Sequence, residues 1–165
     1  MRKDASSPTL PPADERFFED YAAGAVYRYG PVLVERDAVV AFAAAYDPQP
    51  MHVDEAAAAA GPWAGLIASG WHTAVLLMRL YVDNFLSPVS ALVSPGIDEL
   101  RWKMPVRPGD ALTLQVTIEE TRRLQSDPMK GMLKVRMEGL NQEGDLVASL
   151  LGTTFMRCRA REPNA

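Results

Sequence analysis

At 165 residues the chain has the length of one domain with room for a core of its own. Nearly half its residues are apolar and about a quarter charged, the balance of a soluble globular protein, and a net charge of −4 leaves no footprint for nucleic acid or an anionic membrane. One cysteine, Cys158, excludes an internal disulfide and suits a reducing cytoplasm, and with only two histidines a metal site lacks obvious ligands.

Residues 1–15 are polar, carry Pro8, Pro11 and Pro12, and read as a flexible tail without a secretory pattern. Residues 16–165 read as one domain. Phe17 and Phe18 mark a short segment that docks onto it. Residues 25–34 suit a strand interrupted at Gly30-Pro31. A helix follows over 36–46, with Val39, Phe42, Ala43 and Tyr46 along one side.

Pro48 disfavours the α conformation at Asp47, so this helix stops there, and Pro50 extends Gln49 for the same reason. On a proline-braced turn the side chains of Asp47 and His52 can converge, as they could not on a continuous helix. A carboxylate beside an imidazole can position a water and carry its proton. On spacing alone, a helix-ending aspartate and a surface histidine fit the pattern as well.

Asp54 is placed to cap a helix through the five alanines 56–60, which ends at Gly61-Pro62. The stretch Gly65-Leu66-Ile67-Ala68-Ser69-Gly70 then leads into a helix expected over 70–86. Its apolar residues occupy nearly every side, which predicts a buried central element. Ser69, Gly70, His72, Thr73 and Arg79 interrupt the apolar run 64–82 and argue against a membrane span. Gly70 stands where free N–H groups and the helix dipole favour developing negative charge, and its missing side chain allows close approach to its amide.

Beyond the helix the period changes to two. Leu100, Trp102 and Met104, then Leu112 to Ile118, then Leu133, Val135 and Met137 alternate with polar residues, so each run predicts a strand with one dry face. Residues 126–131 and 141–144 carry turn chemistry, and 146–158, apolar on both sides, suits an inner strand. The layout is α+β, a single domain whose antiparallel sheet wraps a long central helix.

Asp47-Pro48-Gln49-Pro50-Met51-His52, followed by the glycine-broken entry to Gly70, resembles the MaoC-like dehydratase family of (R)-specific enoyl-CoA hydratases, which has the hotdog fold. The resemblance runs over roughly residues 32–156 and includes a Pro105-Val106-Arg107-Pro108-Gly109-Asp110 turn. It implies that Asp47 and His52 are the catalytic dyad and the Gly70 amide the oxyanion donor. It also implies an acyl-CoA or acyl-carrier thioester substrate, no cofactor beyond the coenzyme A of the substrate, and a homodimer or higher homo-oligomer. Gln49, Trp63, Ser69, Trp71 and His72 are candidate pocket residues, with a structural role for His72 the stronger reading. Three positions depart from the family pattern: Gln49 in place of asparagine, Tyr46 in place of a small residue, and Met78 where some hydratases carry a supporting serine. The rival functions are a hotdog thioesterase and a non-catalytic acyl-thioester binding protein.

Overall fold

The computed structural model describes residues 9–160. Its elements are β1 (Val26–Leu33), α1 (Arg36–Tyr46), α2 (Pro50–Val53), α3 (Glu55–Ala60), α4 (Gly70–Asn84), β2 (Gly96–Trp102), β3 (Ala111–Arg123), β4 (Lys130–Leu140) and β5 (Leu146–Arg157). All pairings are antiparallel, in the order β1-β3-β4-β5-β2. The three longest strands therefore form a central meander, with β1 and β2 at its edges. Pro31, which has no N–H to give a ladder, lies on edge strand β1 where the register shifts between Tyr29 and Val32.

The alternation of β3 and β4 works as expected. Leu112, Leu114, Val116 and Ile118, with Leu133, Val135 and Met137, are all buried. Ala74, Leu77 and Tyr81 of α4 belong to the same core. Gly139 makes that seat possible, because a Cβ there would stand 2.8 Å from Leu77 Cδ1. Full burial of Leu77 is worth about 1.5–3 kcal/mol. At the far end of α4, Phe85 stacks on Tyr81 at 5.0 Å and packs against Tyr21 at 5.1 Å. Tyr21 Oη donates to the Phe85 carbonyl (2.8 Å) and Arg16 Nη1 to that of Asn84 (2.6 Å), occupying carbonyls that the helix end leaves free. This is how the segment around Phe17 and Phe18 docks, through a 3₁₀ turn at Phe18–Asp20. Of the expected tail, residues 1–8 lie outside the described residues. Residues 9–15 run along the domain, with Leu10 against the core.

Two expectations need correction. The central helix is not buried on every side, because a helix laid on one sheet needs only one apolar stripe to pack. Its second stripe, Trp71, Val75, Met78 and Val82, is 39–56% exposed. Nor does the run of Leu100, Trp102 and Met104 form a dry face: β2 ends at Trp102, Leu100 is half-buried, and Trp102 and Met104 are exposed. Helix α4 rests on the β1, β3 and β4 side of the sheet and meets β2 at its first residue, where Trp102 lies against Gly70, so that this edge strand stays largely uncovered. Among the described residues no helix is long and apolar enough to cross a membrane.

Candidate active site

Helix α1 closes with the Asp47 amide donating to Ala43 O (2.8 Å), after which Asp47 itself turns to φ −150°, ψ 64°, out of the helical region as Pro48 demands. Gln49 is extended, and Pro50 opens the single turn of α2, where its missing N–H costs nothing. His52 lies on that turn and is 4% exposed. The segment before α4 is laced to it: Ile67 N donates to Met51 O (3.1 Å), and His52 Nδ1 donates to Ile67 O (2.8 Å). Asp54 caps α3 by accepting from the amides of Ala56 and Ala57, as its position predicts.

Because a backbone carbonyl can only accept, the Ile67 contact puts the ring proton on Nδ1 and leaves Nε2 bare in the neutral imidazole. Nε2 faces Asp47 Oδ2 at 3.5 Å. Two acceptors do not bond each other, so a water that donates one hydrogen to each matches this pair. The carboxylate is already braced on both oxygens. Ser69 Oγ donates to Oδ2 at 2.6 Å and Gln49 Nε2 to Oδ1 at 2.7 Å. The Ser69 hydroxyl, then the Gln49 amide, and less strongly His52 hold Asp47 below the usual carboxylate range. It therefore stays ionised and accepts.

Ser69 has a second duty as the N-cap of α4, its Oγ accepting from Trp71 N at 3.3 Å. It is fully buried beneath Asp47. Ser69 is thus a brace, and the signal that could have placed it so is its position one residue before a long helix. The Gly70 amide has no acceptor among the described residues.

Asp47, His52 and Gly70 line one cleft of about 540 Å³, together with Gln49, Trp63, Trp71 and Thr73. All three tryptophans of the chain are on its walls, since Trp102 lines it too, with Met51 and Met104 between them. Arg107 Nη2 anchors the Trp63 carbonyl at 2.6 Å. Trp102 went unrecognised in the sequence because strand alternation placed it in a core, and nothing in that period points to a cleft. Its indole also changes the account of Gly70: a Cβ there would stand 2.3 Å from Trp102 Cε2, so the space left by the missing side chain is filled by that ring. His72 is not among the lining residues. Its ring stacks on Phe42 (4.9 Å, 15°), Nδ1 has no partner among the described residues, and burial holds its pKa down. Met78 lies on the outward stripe of α4, away from the cleft. Among the described residues no group of three or more His, Cys, Asp or Glu is placed to hold a metal ion.

A family model described as MaoC like domain matches residues 20–138. The structure is similar to that of a MaoC-like dehydratase from Rhodospirillum rubrum, with a TM-score of 0.81 and 36% identity over 88% of this chain and 99% of that one. It is also similar to an (R)-hydratase from A. caviae, with a TM-score of 0.65 and 26% identity over 82% and 97% of the two chains. In sequence it is 27% identical over 125 residues to the uncharacterised protein YdeM of Bacillus subtilis, spanning 76% of this chain and 87% of that protein. With its five-stranded sheet laid against α4 in the hotdog arrangement, the chain belongs to the MaoC-like dehydratase family.

Proposed function

We propose that the protein adds water across the double bond of a trans-2-enoyl thioester, or runs the reverse dehydration of an (R)-3-hydroxyacyl thioester. The observation that carries this reading is the approach of Asp47 Oδ2 to His52 Nε2, 3.5 Å, in a cleft that also holds the start of α4. Family membership and the similarity to an (R)-hydratase support it.

The two side chains hold one water by accepting both its hydrogens. As its oxygen bonds to C3 of the substrate, one proton passes to the dyad. Nε2 of His52 is the better carrier, because Asp47 is braced as an anion. The C2–C3 electron pair moves toward the thioester carbonyl, whose oxygen gains negative charge. The Gly70 amide receives that charge, for which one preorganised donor is worth about 3 kcal/mol. The dyad then returns the proton to C2 and the carbonyl re-forms, so the sum is addition of one water. Acid–base help of this kind contributes about 10²–10⁴ in rate. The chemistry calls for no metal or redox cofactor, and coenzyme A or an acyl carrier enters as part of the substrate.

The outward stripe of α4 fits a homodimer, in which Trp71, Val75, Met78 and Val82 meet a second copy. The test there is sedimentation of Val82→Asp against the native chain: a smaller species is expected, and unchanged mass removes this stripe from the interface. The lone thiol of Cys158 suits a cytoplasmic setting.

Crotonyl-CoA tests the activity directly. Loss of the conjugated absorbance with formation of (R)-3-hydroxybutyryl-CoA is the expected result. Release of free thiol instead makes the protein a thioesterase, and binding with neither change makes it a non-catalytic acyl-thioester binding protein. Either outcome overturns the proposal.

A further inference from the structure

We infer that Trp102 is a second donor to the developing enolate, its indole N–H acting beside the Gly70 amide; the inference rests on the hydratase reading of this cleft. The pyrrole edge of the indole lies directly on Gly70: a Cβ built there would stand 2.3 Å from Cε2 and 2.4 Å from Nε1 of Trp102. An indole nitrogen is a donor only, and neither it nor the Gly70 amide meets an acceptor among the described residues. Two adjacent unpaired donors on the wall of a cleft that carries an ionised carboxylate and an imidazole form an anion-binding pole.

The indole is also held in place. Trp102 closes β2 opposite Ala148, and the next amide, Lys103 N, donates to Val147 O at 2.8 Å. The ring of Trp71 meets it edge-on at 5.4 Å and 75°, a favoured arrangement of two aromatic rings. The edge of the ring that carries Nε1 is the part nearest the helix start. The indole keeps its proton throughout. It contributes a hydrogen bond that strengthens as the carbonyl oxygen becomes an enolate oxygen, so its effect falls on kcat more than on KM.

Trp102→Phe keeps an aromatic ring against Gly70 and removes the N–H. On crotonyl-CoA, kcat should fall about 10²–10³-fold with KM nearly unchanged. Trp102→His, which restores a ring N–H, should recover part of the loss, and thermal melting checks that each variant is folded. Acetoacetyl-CoA supplies a second readout, because it ionises to a stable enolate with its own ultraviolet band. Bound to the native protein it should ionise at lower pH than when free, and this shift should shrink in Trp102→Phe. Native kcat in Trp102→Phe, or an undiminished enolate shift, overturns the inference while the hydratase reading stands. A native protein that leaves crotonyl-CoA unchanged but shows a Trp102-dependent enolate shift overturns the hydratase reading and keeps the donor.

Discussion

The chain has two histidines, one on either side of Gly70, and both are buried, His52 at 4% and His72 at 5% exposure. Their surroundings differ in every other respect. His52 has Nδ1 committed to the Ile67 carbonyl and Nε2 turned to Asp47 on the wall of the cleft. His72 stacks flat on Phe42, and its Nδ1 meets no partner among the described residues. Burial alone does not make an imidazole useful in proton transfer. What matters is that one nitrogen is spent on fixing the ring, so that the other presents its lone pair where a reactant can reach it. His72 has packing without that division of labour.

The most severe way to break the contrast is to disable the His52 side. Asp47→Asn replaces the carboxylate with an amide of the same shape, so Ser69 and Gln49 then face a group that is half donor. His52→Gln removes the titratable ring. Each should lower kcat/KM for crotonyl-CoA hydration by about 10²–10⁴. Because the two act on one water, the double variant should be little worse than either single one. Steady-state kinetics read this. Losses that multiply in the double variant would show that the residues work independently, and the shared-water mechanism fails.

A smaller effect is expected one step back from the pair. Ser69→Ala removes both the strongest contact that lowers the Asp47 pKa and the N-cap of α4. Loss of the cap costs about 0.5–2 kcal/mol of stability. The pKa of Asp47 should move up toward its ordinary 3.8, read by NMR titration of the carboxylate. With a depressed folded value, the brace stabilises the protein above the ordinary pKa, and that gain disappears as the pH falls through the lowered one. The variant should therefore lose less stability on acidification than the native chain. An Asp47 titration that does not move would assign Ser69 to capping alone.

Most of the scaffold was legible because its signals are local. The span of α1 follows from apolar spacing ended by Pro48, α3 from Asp54 and an alanine run, and the central strands from strict alternation. Asp47, His52 and Gly70 could be named because prolines and a glycine punctuate the chain around them. Residues placed by tertiary geometry were harder to see. Trp102 reaches the cleft because the edge strand β2 passes beside the start of α4, and sequence periodicity carries no information about which edge a strand occupies. Ser69 was read as a wall of the pocket because its contact is with a residue 22 positions earlier. The open stripe of α4 was read as core for a related reason: hydropathy reports that a side chain avoids water but not what covers it.

The smallest change sharpens the comparison from the other side. His72→Phe keeps a flat ring against Phe42 and removes the ionisable group, so hydration of crotonyl-CoA should be nearly unaffected. The difference should appear in stability against pH. Burial lowers the pKa of His72 from its ordinary 6.5, so the unfolded chain binds a proton there more readily than the folded one. The neutral ring's contribution is fully present above pH 6.5 and is lost as the pH falls toward the lower folded value. The informative quantity is the gap between the urea-unfolding curves of the two proteins at each pH. That gap should widen in favour of the phenylalanine variant on acidification below 6.5 and stay constant above it. If the gap is the same at every pH, His72 is not penalised for taking a proton. The two histidines would then be closer in kind than their surroundings imply, because the Nδ1 of His72 would have found a partner after all.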